Sequence, residues 1–396
     1  MRNMHRQVLI LAGSQAIFQS ISVLIMTIGG LAGALLTPDA SLITVPISMA
    51  SLGTVIAMFP ASLWMSRAGR KTGFITGTLS GIVAAVISMM AMIQHSFMLL
   101  CFGMFFLGIY QAFAQFYRFA AGEVALPAFR TKAISLVLAG GVIAALLGPF
   151  LASRGSTLFS VAYVGSFLFM GIMASLGLLL LSRLHMPEQT GDITGQAFIR
   201  PWVKVITQPA YLVALFSGAS GFGIMVLGLT ATPIAMKHYG FNLPQIAAVI
   251  QLHILGRFLP SFFTGKLIDR FGVIKIMLVG ILLLLAYIAL VVSGVTWGFF
   301  AVALILMGIG WNFLYIGGTS LLATTYSTRE KGVAQAANDM SVFIFSLICS
   351  LGAGPLLNTF GWKIMHLILL PWIICLVVPM LWLTWHQRRT QGSALK

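Results

Sequence analysis

The chain has 396 residues, 59% of them hydrophobic and only 8% charged, with 23 Lys and Arg against 7 Asp and Glu and a formal net charge of +16. An average soluble domain is about 25% charged, so this sequence cannot cover a water-facing surface of ordinary size and belongs in a lipid bilayer. The basic excess is scattered over short segments instead of gathered in one run, which fits anionic lipid headgroups and argues against a nucleic-acid partner.

Crossing the hydrocarbon core takes about 20 apolar residues. Twelve segments meet that length, near 7–30, 41–66, 72–93, 97–119, 130–153, 157–182, 208–236, 244–268, 273–293, 297–324, 332–357 and 363–386. The first follows Arg2 and Arg6 as a signal peptide would, but its length and the lack of a small-residue cleavage site favour a retained helix. Between the sixth and seventh segments, 183–206 is rich in Pro, Gly and polar residues and reads as a cytoplasmic linker, with room for a short amphipathic helix at 198–206. The expected organisation is therefore an N-terminal bundle over 1–182, a linker over 183–206 and a C-terminal bundle over 207–396, all-α throughout.

With the N-terminus inside, nineteen of the Lys and Arg residues fall in cytoplasmic segments. Three (Arg154, Lys237, Lys363) fall outside, and Arg257 stays within a helix. That asymmetry places both termini in the cytoplasm. Compact length and minimal loops point to a bacterial inner membrane.

Two short basic loops, 203 residues apart, echo one another: Ser62 to Lys71, with Arg67, Gly69 and Arg70, and Gly265 to Lys275, with Asp269, Arg270 and Gly272. In each, a glycine is expected to give the tight turn, while the basic residues hold the loop among headgroups. Gly53 and Gly256 keep the same offset, and Gly148-Pro149 is answered by Gly354-Pro355. A loop recurring at half the chain length points to two equivalent halves.

Six spans, a linker, six spans and a repeated loop after the second span of each half resemble the major facilitator superfamily. In that family the loop reads Gly-x-x-x-Asp-Arg-x-Gly followed by basic residues; the second copy keeps Gly265, Asp269, Arg270 and Gly272. The first copy has Ser62 and Ser66 where the family has Gly and Asp. The resemblance implies two six-helix bundles related by a pseudo-two-fold axis, with spans 1, 4, 7 and 10 lining a central cavity. A Gly-rich fifth span ending in Gly-Pro is associated there with antiporters; Gly140, Gly141, Gly148 and Pro149 form a partial version, and close packing of small residues explains the same pattern.

Polar groups inside the membrane are costly unless partnered or wetted, so they point to function. Arg257 lies 12 residues before Asp269, about 18 Å up the eighth span. His253 sits one turn away on the same face. Arg257 could hold an anionic group of a substrate or serve as a structural cation. Asp339, with Asn338 beside it, is the carboxylate placed within a membrane segment and the proton-coupling candidate. Glu123, close to Arg118 and Arg130, suggests an inner-gate ion pair. Gln15 and Gln19 on the first span, Gln111 and Gln115 on the fourth, and Asn312 and Tyr315 on the tenth form polar stripes at helical spacing. Tyr110, Trp311 and Tyr315 add aromatic surface suited to a flat or apolar part of a substrate.

Cys101, Cys349 and Cys375 lie apart in apolar segments, without disulfide or metal-site spacing, and no cofactor is implied. Hydrolase, zinc-protease and phosphate-loop motifs are missing, so an enzyme is not expected. The expectation is a monomeric secondary transporter of a small organic solute, with proton-coupled export of a metabolite or drug-like compound first and import of an organic anion second. A receptor or assembly factor with the same fold is the reading from another class.

Overall fold

Within a bilayer no water satisfies the backbone, so each apolar run must close its hydrogen bonds internally as a helix. A computed structural model describes residues 2–126, 133, 136–137, 139–186, 202–326 and 330–394. They form α1 (Arg2–Leu36), α2 (Val45–Ala68), α3 (Arg70–Ile93), α4 (Phe97–Ala114), α5 (Tyr117–Val124), α6 (Gly140–Gly155), α7 (Val164–Ser182) and α8 (Trp202–Ile206). The series continues with α9 (Pro209–His238), α10 (Leu243–Phe258), α11 (Ser261–Phe271), α12 (Val273–Ser293), α13 (Trp297–Ala323), α14 (Lys331–Leu367), α15 (Leu369–Cys375) and α16 (Val377–Ala394).

Ten stretches among the described residues are long and apolar enough to cross a membrane. The last of them, Ala337–Trp385, has 49 residues, enough for two crossings of a core about 30 Å thick. It is divided at Gly361, whose φ of 72° is not helical. With the shorter apolar α6 added, each of the twelve predicted segments coincides with helix, the fifth from Gly140 on. Most of the expected linker lies outside the described residues; α8 falls within the short helix anticipated at 198–206.

Both repeated loops contract to one residue. Gly69 joins α2 to α3 at φ 85°, ψ 156°, and Gly272 joins α11 to α12 at φ 89°, ψ 148°. A Cβ at either position meets nothing within 4 Å, so the backbone angle and not space demands glycine. Gly265 lies inside α11, and the turn of the second copy sits seven residues later at Gly272. Alanine at Gly69 or Gly272 is expected to cost about 1–3 kcal/mol, read as a lower melting temperature in detergent, with the two losses adding.

The helices group into two compact units. The first holds the described residues of Met1–Gly191 with Leu229–Ile254 and Ser350–Asn358; the second holds those of Asp192–Gly228, Leu255–Cys349 and Thr359–Lys396. In the first unit α1 packs on α6, α2 on α4, and α3 on α4 and α7. Small residues permit the closest approaches: a Cβ at Gly108 would overlap the Ala50 carbonyl oxygen, and one at Gly53 the Phe105 carbonyl oxygen. The glycines of the fifth span serve the same end, since a Cβ at Gly140 would lie 2.9 Å from the Ala16 nitrogen and one at Gly148 2.6 Å from Val23 Cβ. Also within this unit, Ser48 Oγ donates to Ser350 Oγ (2.9 Å) and the Gly354 N–H to Thr44 Oγ1 (3.1 Å). In the second unit α12 lies against α13, where Gly280 and Gly310 face one another's carbonyls.

Candidate functional site

Arg257 is the penultimate residue of α10, just before the eighth span breaks. Pro260 brings no N–H and ends the regular ladder; Phe262 and Phe263 turn instead to the carbonyls of Leu259 and Pro260. The break leaves the Arg257 guanidinium among rings of the second unit. Its Cζ stands 4.0 Å from the Trp311 ring centroid, 5.0 Å from Phe258 and 5.9 Å from Phe222, all within cation–π range.

The box is built by helical periodicity. Trp311 and Tyr315 are one turn apart on α13, which brings their rings into a stack 4.6 Å between centroids and 13° between planes. Phe222 of α9 meets Trp311 edge-on at 6.0 Å and Tyr315 at 6.3 Å, and Phe343 of α14 backs Phe222 at 5.8 Å. Trp311 is 4% exposed, whereas Arg257, Phe222 and Tyr315 are partly buried.

Two N–H groups in the box lack a partner. Arg257 Nε and Trp311 Nε1 are buried and donate to no acceptor within hydrogen-bond distance. No carboxylate among the described residues forms an ion pair with Arg257. Guanidinium and indole are donors without acceptor capacity. The box therefore offers flat π faces and unpaired donors, and a flat ring carrying acceptor atoms is its chemical complement.

Other predicted residues are distributed differently. Asn312, next to Trp311, is 1% exposed with its amide fully engaged: Nδ2 donates to the Arg257 carbonyl (2.8 Å) and Ser261 Oγ (2.7 Å), and Oδ1 accepts from Thr264 Oγ1 (2.7 Å). His253 is fully buried in the part of α10 that belongs to the first unit. Asp339 and Asn338 stand on α14, where Asn338 Nδ2 donates to Asp339 Oδ1 at 3.2 Å. In the first unit Gln15 and Gln19 share one face of α1, and Gln111 and Gln115 lie one turn apart where α4 ends.

Glu123 is paired with a residue not anticipated. Arg70, from the first repeated loop, donates to it through Nη2 at 2.6 Å and Nε at 3.2 Å, and its guanidinium also covers the Phe116 ring at 5.5 Å. Arg118 lies over Phe119 at 4.8 Å, and Arg130 is outside the described residues. Arg67, Asp269 and Arg270 are exposed, the last stacked on Phe271 at 5.2 Å. Phe222, Phe258 and Phe343 were not singled out from sequence. Among 29 phenylalanines nothing but their proximity in space to Arg257 marks them.

A sequence profile described as Major Facilitator Superfamily matches residues 8–255 and 213–395. The riboflavin transporter RfnT of Brucella anthropi is 35% identical over 382 residues, 95% of this chain and 95% of that one. The chain belongs to the Major Facilitator Superfamily. A second superfamily relative, the MFS-type transporter YdeG of Bacillus subtilis, is 25% identical over 353 residues, covering 80% of this chain and 77% of its own. Among solved structures the nucleoside transporter NupG superposes with a TM-score of 0.75 at 13% identity, covering 95% of this chain and 99% of NupG. The D-xylose-proton symporter gives 0.69 at 13% identity over 95% and 96%. These share the superfamily fold. This member is thus a multi-pass membrane transport protein of all-α construction and not an enzyme.

Proposed function

We propose that this superfamily member carries a flavin, or a flat heterocycle of the same kind, across the membrane by alternating access. The observation that carries the reading is the Arg257 box, with unpaired donors set against stacked aromatic faces. An isoalloxazine ring is planar and rimmed by carbonyl and ring-nitrogen acceptors, the pattern this box lacks and can complement. Stacking on an aromatic side chain contributes about 1–3 kcal/mol, and a hydrogen bond from a charged donor about 1.5–3 kcal/mol. Micromolar binding takes about 8 kcal/mol, so the box supplies a large share of the recognition. The 35% identity to RfnT supports the same substrate class.

Net direction follows from gradients, because alternating access is reversible and a site exposed in turn to each side serves uptake and release alike. The glycines of α6, which favoured export in the sequence, are accounted for by their approach to α1. Asp339 is proposed as the proton carrier, a carboxylate on a membrane helix able to gain a proton when its surroundings dry. The remaining partners proposed are anionic lipids at the basic loops, with a monomer as the working unit in a bacterial inner membrane, both termini cytoplasmic.

Counterflow in proteoliposomes tests the substrate without an ion gradient. Vesicles loaded with unlabelled riboflavin are expected to accumulate the labelled compound, with a non-aromatic sugar failing to compete. No exchange of riboflavin beside exchange of an aliphatic organic anion would hand Arg257 to the anion reading. For coupling, Asp339→Asn is expected to abolish substrate-driven alkalinisation or acidification, reported by a pH-sensitive dye, while counterflow persists within about threefold. Proton movement undiminished in that variant rules Asp339 out as the carrier.

A further inference from the structure

Residue 257 is held at both ends by neighbours on a single helix. Trp311 lies under its guanidinium, and the next residue, Asn312, binds its backbone carbonyl at 2.8 Å. The carbonyl can only accept, so the Asn312 atom facing it must be the nitrogen, which fixes the amide's orientation. The same amide reaches past the helix break to Ser261 and Thr264 on α11. One buried side chain therefore spans the discontinuity at Leu259 and Pro260, tied to α10 before it and to α11 after it.

We propose that Asn312 is a positioning residue for substrate recognition: it staples the broken eighth span so that Arg257 is presented to the ring of Trp311 at a fixed height. This rests on the reading of the Arg257 box as the substrate site. The backbone stays bonded through the break, with the Leu259 N–H on the Leu255 carbonyl and the Phe263 N–H on that of Pro260, but a guanidinium at the end of a flexible side chain cannot by itself hold one height over a ring. Recognition groups need support to within about 0.5 Å. Asn312 supplies that support, and its adjacency to Trp311 couples the height of the ring to the height of the backbone it must meet. The side chain touches no ligand in this arrangement, because both amide hydrogens and its oxygen are already used.

The variant Asn312→Leu keeps the branched frame of the side chain and removes all three bonds. It is expected to raise the half-saturation concentration for riboflavin counterflow about tenfold, the worth of one hydrogen bond, with the maximal rate kept within about twofold. Ser261→Ala and Thr264→Val, which leave the bond to the Arg257 carbonyl in place, are expected to shift it by less than about threefold. The distinguishing measurement is the cycle with Arg257→Lys. If Asn312 acts through Arg257, the double variant is no worse than Arg257→Lys alone, whereas independent roles multiply.

An unchanged half-saturation in Asn312→Leu, or multiplying penalties, overturns the proposal. Should Asn312→Leu fail to fold, Asn312→Ala, which removes the same three bonds and adds no bulk, takes its place in the cycle with the same two outcomes. If the wild type neither exchanges riboflavin nor shows quenching with it, the flavin reading fails separately. The stapling is then decided by amide hydrogen exchange over 257–264, where unchanged protection in Asn312→Leu sinks it and about tenfold faster exchange supports it.

Discussion

Arg257→Leu is expected to abolish flavin transport while making the protein more stable. The two effects have opposite signs because they come from the same unpaired cation. In the bound state the guanidinium contributes a hydrogen bond worth about 1.5–3 kcal/mol and a desolvated cation–π contact to the bound ring of about 2 kcal/mol, so its loss weakens binding by roughly 400- to 5,000-fold. In the empty protein the same group sits 4.0 Å from Trp311 with its Nε unpaired. A cation within a transmembrane helix costs about 2.5–3.5 kcal/mol on insertion scales, and leucine removes that cost. Riboflavin counterflow should fall to background while the melting temperature in detergent rises. Arg257→Lys should fall between, since an ammonium neither stacks nor donates in a plane. A Leu variant that transports normally, or one that melts lower than wild type, would mean that the arginine is structural.

Gly108→Val is expected to leave no folded protein. Its Cβ would overlap the Ala50 carbonyl oxygen and come within 2.8 Å of the Thr54 nitrogen, both backbone atoms that no rotamer change can move aside. Ordinary overpacking costs about 1–3 kcal/mol where side chains can yield; here α2 and α4 would have to separate along a contact made by small residues on both sides. Thr54 Oγ1 also donates to the Gly108 carbonyl at 3.0 Å, a bond lost with the separation. Size-exclusion chromatography of a fluorescent fusion in detergent should show aggregate in place of a monodisperse peak. Gly256→Ala, at the position of the other half that matches Gly53, has its nearest obstacle 2.9 Å away at the Ile305 carbonyl oxygen, and is expected to fold with a lowered melting temperature.

The spans were legible because a bilayer leaves an apolar segment of 20 residues few choices other than a helix. The repeat was legible too, because one-residue turns at Gly69 and Gly272 need the same backbone angles. Arg257 stood out as a lone cation in an apolar segment. Its companions did not. Spacing places residues on a face of their own helix but does not say what faces them, so Phe222, Phe258 and Phe343 were indistinguishable from lipid-facing phenylalanines. For the same reason Asn312 could be assigned to the polar stripe of its helix, while its use in bridging the break at Pro260 could not be foreseen. Glu123 was recognised as half of an ion pair, but the partner recorded in the structure is Arg70, 53 residues earlier, which spacing along one chain segment could not suggest.

Aromatic cages in proteins usually welcome a cation from outside, since ring faces are negative and a quaternary ammonium can sit among them. In this one the place is taken. Arg257 already lies within cation–π range of Trp311, Phe258 and Phe222, and a second positive charge about 4 Å from it meets a repulsion of about 4 kcal/mol at an effective dielectric of 20. On the proposed reading of the box, cationic dyes and biocides are therefore expected to fail as competitors of riboflavin counterflow, however flat and greasy their rings, while neutral or anionic rings compete.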